Sequence, residues 1–223
     1  MSWDETWEGV FRTRNWGKYP SEELIRFVMG SFSGAENRRD VRVLEVGCGA
    51  GANIWFLARE GFSATGIDGS ETAIRIARDR LTSEQLEADL RVLDALSIAE
   101  TFGDRSFDAI LDVACLQHNM LIDVRRLLSE FARTLRPGGR VFSMAVAAGS
   151  FGDGTGEPIE PGSFRNVTEG PARNLGVCHF FTLTELRELF QNFEEVKIEF
   201  SSRTLDERTN TYGHWVTQAR KPQ

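Results

Sequence analysis

Three cysteines in a chain of 223 residues, Cys48, Cys115 and Cys178, are odd in number, widely spaced and without a C-x-x-C pair. A disulfide framework and a zinc site are thereby excluded, so a reducing cytoplasm is the expected compartment and no metal is expected. Basic residues are outnumbered, 26 Lys and Arg against 33 Asp and Glu. With no cationic surplus to displace counterions from a phosphate backbone, nucleic acid is not an expected partner. Lysine occurs only at 18, 197 and 221, a bias to which no function attaches. No apolar run approaches the roughly 20 residues of a membrane span, and the opening Met1-Ser2-Trp3-Asp4-Glu5 is acidic where a secretory signal is basic. Neither a membrane nor secretion is expected. Repeats and low-complexity segments are absent.

Glycine is the residue the chain does spend. Val43-Leu44-Glu45-Val46-Gly47-Cys48-Gly49-Ala50-Gly51 runs an apolar strand into three glycines and then into an apolar helix. Glycine is needed where backbone takes positive φ or lies against a ligand, and the helix start adds unpaired N–H groups, so a nucleotide-type cofactor is implied. Gly47-x-Gly49-x-x-Ala52 also fits the dinucleotide fingerprint. An NAD(P) oxidoreductase is therefore a rival. The Tyr-x-x-x-Lys pair of a short-chain dehydrogenase is missing, because Tyr19 and Tyr212 are followed four positions on by Glu23 and Val216. The triphosphate loop G-x-x-x-x-G-K-[ST] is missing as well.

From Val41 on, strand-like and helix-like runs alternate, the pattern of an α/β domain with a mostly parallel sheet. Strands are expected at Val41 to Val46, Ala64 to Ile67, Asp89 to Leu93, Phe107 to Val113 and Gly139 to Val146, with helices at Ala52 to Arg59, Glu71 to Leu81 and Asp123 to Leu135. Arg136-Pro137-Gly138-Gly139 should stop that last helix. The 223 residues read as a single domain in four parts. Residues 1–40 form an aromatic cap and a helix, Pro20 to Phe32; 41–146 form the cofactor-binding core. Residues 147–180, rich in glycine and without periodicity, read as a long loop over the substrate. Residues 181–223 hold a helix with Thr182 and Glu185 as its capping box, then two antiparallel strands.

Taken together, these motifs resemble the class I S-adenosylmethionine-dependent methyltransferases over about Val41 to Val146. The glycine turn, with Glu45, Gly47, Cys48, Gly49, Gly51 and Asn53, is similar to that family's first motif. Asp68, with Gly69 and Ser70 after it, resembles the acid that takes the cofactor's ribose hydroxyls; it follows Gly47 by the roughly 20 positions such an acid needs. Asp94 and Ala95 resemble the segment that holds the adenine edge. Asp112 resembles the acid near the methionine end, and Gln117 lies just beyond it. The resemblance implies a three-layer, Rossmann-like, seven-stranded sheet in the order 3-2-1-4-5-7-6 with the last strand antiparallel. It also implies S-adenosylmethionine as cofactor and S-adenosylhomocysteine as product. Cys48 reads as a space-filler and Cys115 as a core or loop thiol.

Methyl transfer is an in-line displacement in which positioning does most of the work. A hydroxyl acceptor needs a base, and His118, after the fourth strand, is the first candidate, followed by His179 at the end of the glycine-rich loop; His214 should only pack. Trp16 and Tyr19 resemble the N-terminal residues that cover the cofactor in small-molecule methyltransferases, where closure excludes water. The Asn/Asp-Pro-Pro-aromatic segment typical of enzymes that methylate exocyclic amino groups is replaced by Asp112-Val113-Ala114-Cys115. A small-metabolite acceptor, methylated at oxygen or nitrogen, is the expectation. A silent cofactor-binding partner subunit is the other rival, and the oligomeric state is left open.

Overall fold

The computed structural model describes residues 3–223; Met1 and Ser2, the first residues of the acidic opening, lie outside them. Two helices come first, α1 (Thr6–Thr13) and α2 (Glu22–Ser31). The core alternates β1 (Arg42–Val46), α3 (Ala52–Arg59), β2 (Ser63–Asp68), α4 (Glu71–Ser83), β3 (Asp89–Val92), α5 (Ile98–Phe102), β4 (Phe107–Val113), α6 (Leu121–Thr134) and β5 (Leu135–Val146). Three short strands follow, β6 (Glu157–Glu160), β7 (Ser163–Arg165) and β8 (Val177–His179). The chain closes with α7 (Leu183–Leu189), β9 (Glu194–Leu205) and β10 (Asn210–Arg220).

Seven strands make one sheet in the order β3-β2-β1-β4-β5-β10-β9. The pairs from β3 to β5 are parallel, while β10 runs antiparallel to both β5 and β9. Setting aside the three short strands, this is the order the motifs implied. Along each central strand alternate residues feed opposite faces, as a period of two requires. Leu44, Val46, Ile110, Val141 and Ala145 pack with Leu127, Phe131 and Phe190 on one side. Val43, Ala109, Leu111 and Phe142 pack with Leu24, Phe27, Ile54 and Leu57 on the other. Both faces are thus covered by helices, which is why the strands are near-continuously apolar.

Local signals place the helix starts. Ser21 and Ser70 each accept a backbone N–H three residues on, and Thr182 and Glu185 close the expected capping box. Arg136-Pro137-Gly138 does not separate α6 from β5. It is a bulge inside the strand, where pairing moves from Phe107↔Leu135 to Ala109↔Arg140, as a strand-bending insertion does.

Residues 147–180 are not the loop their composition suggested. They build a three-stranded antiparallel sheet, β6-β7-β8, whose strands of three and four residues are too short to show alternation. Positive φ at Gly156, Gly162, Asn166, Asn174 and Gly176 supplies the turns. Among the described residues no helix is long and apolar enough to cross a membrane.

Candidate active site

The ends of β1, β2, β3 and β4 all meet at one edge of the sheet, the edge where parallel sheets bind ligands. Gly47, Gly49 and Gly51 each hold positive φ there. At Gly47 the requirement is also one of space, since a Cβ would lie 2.7 Å from both Cβ and Sγ of Cys115. The turn encloses a cavity of about 300 Å³ lined by Glu45, Gly47, Cys48, Gly49, Asn53, Asp68, Gly69, Asp94, Ala95, His118 and Asn119. Most of the residues expected to hold the cofactor are therefore brought together.

Burial dominates the electrostatics of this cavity. Asp68 accepts the Gly49 N–H at 2.9 Å and the Ser70 N–H at 2.8 Å. Desolvation nevertheless raises its pKa to about 6, opposed by those two bonds. Glu45 is 2% exposed. Its Oε1 accepts from Asn53 Nδ2 at 2.5 Å, whereas its Oε2 has no protein partner. Burial pushes this carboxyl up to about 8, with Asn53 pulling the other way. A buried carboxyl with one unanswered oxygen, facing a cavity, is a place where a ligand's cationic group fits. Asp94 accepts the Leu96 N–H at 3.0 Å and so turns the chain back along the rim.

The N-terminal segment covers the cavity. Trp3, Trp7, Phe11 and Trp16 line it from outside. Trp7 lies edge-on to the His118 ring at 4.6 Å, and Phe11 and Trp16 meet in a tilted contact at 5.3 Å. A Cβ on Gly69 would run into the Trp3 ring, and one on Gly49 would come within 3.1 Å of Phe11. The segment is latched by Glu8, which accepts Ser70 Oγ at 2.5 Å and Thr72 Oγ1 at 2.6 Å at the start of α4. Those hydroxyls, the Ser70 one foremost, hold its carboxyl down at about 2.

His118 reaches the cavity, but not as a free base. Its Nδ1 donates to the Val177 carbonyl at 2.6 Å, which fixes the neutral tautomer, and its Nε2 lies 3.1 Å from Gln117 Nε2, which donates to it. Burial lowers its pKa to about 4. Gln117 itself is buried behind the wall, with its Oε1 taking the Val146 N–H at 2.8 Å.

Several expected site residues stand elsewhere. His179 is fully buried in the small sheet, bonded through Nδ1 to Ser163 Oγ at 2.7 Å, with Nε2 3.5 Å from Glu185 Oε1. It does not line the cavity and ties β7 and β8 to the start of α7. Tyr19 is exposed and meets the edge of Trp55 at 5.5 Å, away from the cavity. Ser70 serves as the α4 cap and Glu8 partner. Gly51 is the N-cap of α3, packed on Ala77 beneath the turn. Asp112 is buried behind the β4 loop, accepting from Ser143 Oγ, Cys115 N and Leu116 N. It braces that loop. Cys48 and Cys115 line the cavity with thiols driven well above their usual range by burial, which disfavours the thiolate. Sequence reasoning passed over Asp4, Glu8 and Asn119. The four-residue spacing of Trp3, Trp7 and Phe11 was the available signal for α1.

A protein-family profile described as a methyltransferase domain matches residues 43–139. Over 105 residues the chain is 39% identical to a demethylmenaquinone methyltransferase from Tropheryma whipplei, covering 44% of this chain and 39% of that protein. Over 106 residues it is 34% identical to a ubiquinone biosynthesis O-methyltransferase from Sinorhizobium medicae, covering 48% and 41%. The chain thus spans about two fifths of the length of these curated relatives. A crystal structure of a SAM-dependent methyltransferase from Methanosarcina mazei superposes over 81% of this chain and 92% of its own, with a TM-score of 0.64 at 29% identity. A structure from echinomycin biosynthesis covers all of this chain at a TM-score of 0.66 and 20% identity, a likeness of fold.

Proposed function

Because the chain belongs to the class I, Rossmann-like S-adenosylmethionine-dependent methyltransferases, we propose that it is an active enzyme carrying a methyl group to an oxygen or nitrogen of a small metabolite. The observation that carries this reading is the clustering of Glu45, the glycine turn, Asp68 and Asp94 on one cavity that a second cavity adjoins at His118 and Asn119. A protein that only held the cofactor would need no such adjoining space.

The residues fit the group. Asp68 and Asp94 present carboxylates for hydroxyl and amine donors, and the orphaned Oε2 of Glu45 answers a cation. Bound there, S-adenosylmethionine supplies a methyl group on a positively charged sulfur, ready for displacement. The protein's part is to orient, to exclude water and to keep attacker and methyl within about 3 Å along one line. Trp3, Trp7, Phe11 and Trp16 form the cover, held shut through Glu8, and desolvation under it strengthens every charge inside. His118 is a positioning residue, a neutral wall locked by Val177 and Gln117.

Titration calorimetry with adenosylmethionine and adenosylhomocysteine, on the protein and on Asp68→Ala, tests the cofactor site. Binding that Asp68→Ala weakens at least tenfold supports it, the loss corresponding to about 1.4 kcal/mol or more. Incubation with methyl-labelled cofactor and a metabolite extract then tests turnover. Transfer by the protein alone is the expected result; cofactor binding without transfer to any small molecule would overturn the enzyme reading.

A further inference from the structure

Beside the cofactor cavity lies a second one of about 550 Å³. The two share Trp3, Asp4, His118 and Asn119 as walls, so a methyl group leaving the first cavity toward the second crosses this junction. Resting on the methyltransferase reading above, we infer that the acceptor is an amine that enters through this second cavity and meets the methyl group at the Trp3, Asp4, His118 and Asn119 junction.

Two independent features carry the inference. The first is charge: among the described residues Asp4, Glu5 and Asp123 line the cavity against one cation, Arg165, and Asp123 shares its charge with Arg126 at 3.3 Å. An acidic mouth draws in a cation and repels a carboxylate or phosphate, and Trp3 is among the residues that line it, an indole being a group to which an ammonium is attracted. The second is that no strong base stands free at the junction among the described residues. Both nitrogens of His118 are engaged. Asn119 Nδ2 donates to the Cys115 carbonyl at 2.8 Å, and Asp4 Oδ1 accepts the Thr6 N–H at 2.9 Å. An alcohol, with a pKa close to the ~15.7 of water, could not be ionised by such a set. A phenol ionises more readily but then enters an acidic mouth as an anion. An alkylammonium ion, ordinarily near 10.4, gives up its proton to solvent without help from the protein.

The step balances on that basis. The ammonium releases one proton to water; the freed nitrogen lone pair forms the N–C bond while the C–S bond breaks, and its electron pair stays on sulfur as a neutral thioether. The methylated nitrogen leaves carrying the positive charge that the sulfur brought, until it too loses a proton.

The test uses the full chain, methyl-labelled adenosylmethionine and matched panels of alkylamines, alcohols, phenols and carboxylic acids of equal carbon skeleton. Label should enter amines at least about tenfold faster than any other class, with kcat/KM rising with pH as the free amine accumulates. Glu5→Gln and Asp123→Asn, which touch only the second cavity, should each raise KM for the amine about fivefold or more and leave the calorimetric affinity for adenosylhomocysteine within about twofold. Preference for an alcohol, phenol or acid, or an amine KM unmoved in both variants, overturns the inference. So does adenosylhomocysteine binding with no amine methylated, whereas a protein that binds neither form of the cofactor overturns the methyltransferase reading beneath it.

Discussion

Glu45 should give up a proton when the cofactor binds. Its carboxyl is buried, its Oε2 is unanswered by the protein, and its pKa stands at about 8. At pH 7 a group of that pKa is about nine-tenths protonated. A cationic group placed against Oε2 supplies the missing partner and drives ionisation, so close to one proton should leave per cofactor bound. The sign follows from linkage: the free form binds the proton more tightly than the complex, so affinity increases with pH. It should strengthen up to about tenfold per unit between roughly pH 6 and 8 and level off above. Asp68, raised to about 6, adds a second and smaller release at the acidic end. The same group bears on folding. Its folded pKa is above the ordinary 4.5, so the stability it confers is fully present below that value and lost as pH rises toward 8. By pH 7 that amounts to roughly 3 kcal/mol. Glu45→Gln, which cannot ionise, should therefore be the more stable protein at pH 7, by up to that amount, and no more stable at pH 4. Calorimetry in buffers of different ionisation enthalpy measures the proton directly, and urea unfolding at the two pH values measures the stability. Binding heats that ignore the buffer, together with a Glu45→Gln variant no steadier at pH 7 than at pH 4, would refute the reasoning.

Three other outcomes are expected. Glu8→Gln removes the charge that holds Ser70 and Thr72 and should loosen α1, so trypsin should cut after Arg12 and Arg14 several-fold faster; an unchanged rate would show that the aromatic rings alone hold the cover. Gly47→Ala combines positive φ with a Cβ only 2.7 Å from Cys115. It should cost at least about 1–3 kcal/mol in urea unfolding and lower cofactor affinity, and retention of both would contradict the packing described. Phe131→Ala empties a fully buried position between α6 and the sheet and should cost about 3–5 kcal/mol, read as a fall in the urea midpoint at constant m-value.

The order of the seven-stranded sheet followed from the family resemblance, while its central strands and helix starts were legible in the residues themselves. Val43, Leu44 and Val46, with Ala109 to Leu111 and Val113, are apolar on both faces, the mark of central parallel strands, and Ser70, Thr182 and Glu185 stand where helix caps belong. The region from 147 to 180 was not legible, and the reason is length. A strand of three residues such as Ser163–Arg165 shows a single alternation, and the glycines that read as flexibility are the positive-φ corners of a tight antiparallel sheet. Helix α5, five residues long, is hidden in the same way.

The site divides along a related line. Gly47, Glu45, Asp68 and Asp94, expected from the backbone they sit on, line one cavity because sequence spacing along one sheet edge is spacing in the cavity. Roles that depend on a partner far along the chain were misread or passed over. His118 has a base's position, yet Val177, 59 residues on, takes its Nδ1 proton; nothing local to Gln117-His118-Asn119 foretells that bond. His179 was expected at the cavity from the loop that carries it, but that loop is a sheet, so its ring turns inward to Ser163 and Glu185. Glu8 meets Ser70 and Thr72 more than 60 residues away. Two of these pairings, at His118 and Glu8, join the cofactor-binding core to segments outside it, and they stand at the walls or the latch of the cavities. On the proposed reading, the chemistry of the acceptor is set where the fold's common core ends. The short sheet brings Arg165 and Val177 to the second cavity, and the N-terminal segment brings Trp3, Asp4 and Glu5. If that division is right, exchanging only these two segments should change which acceptor is methylated without moving the affinity for adenosylhomocysteine by more than the loss of the aromatic cover allows.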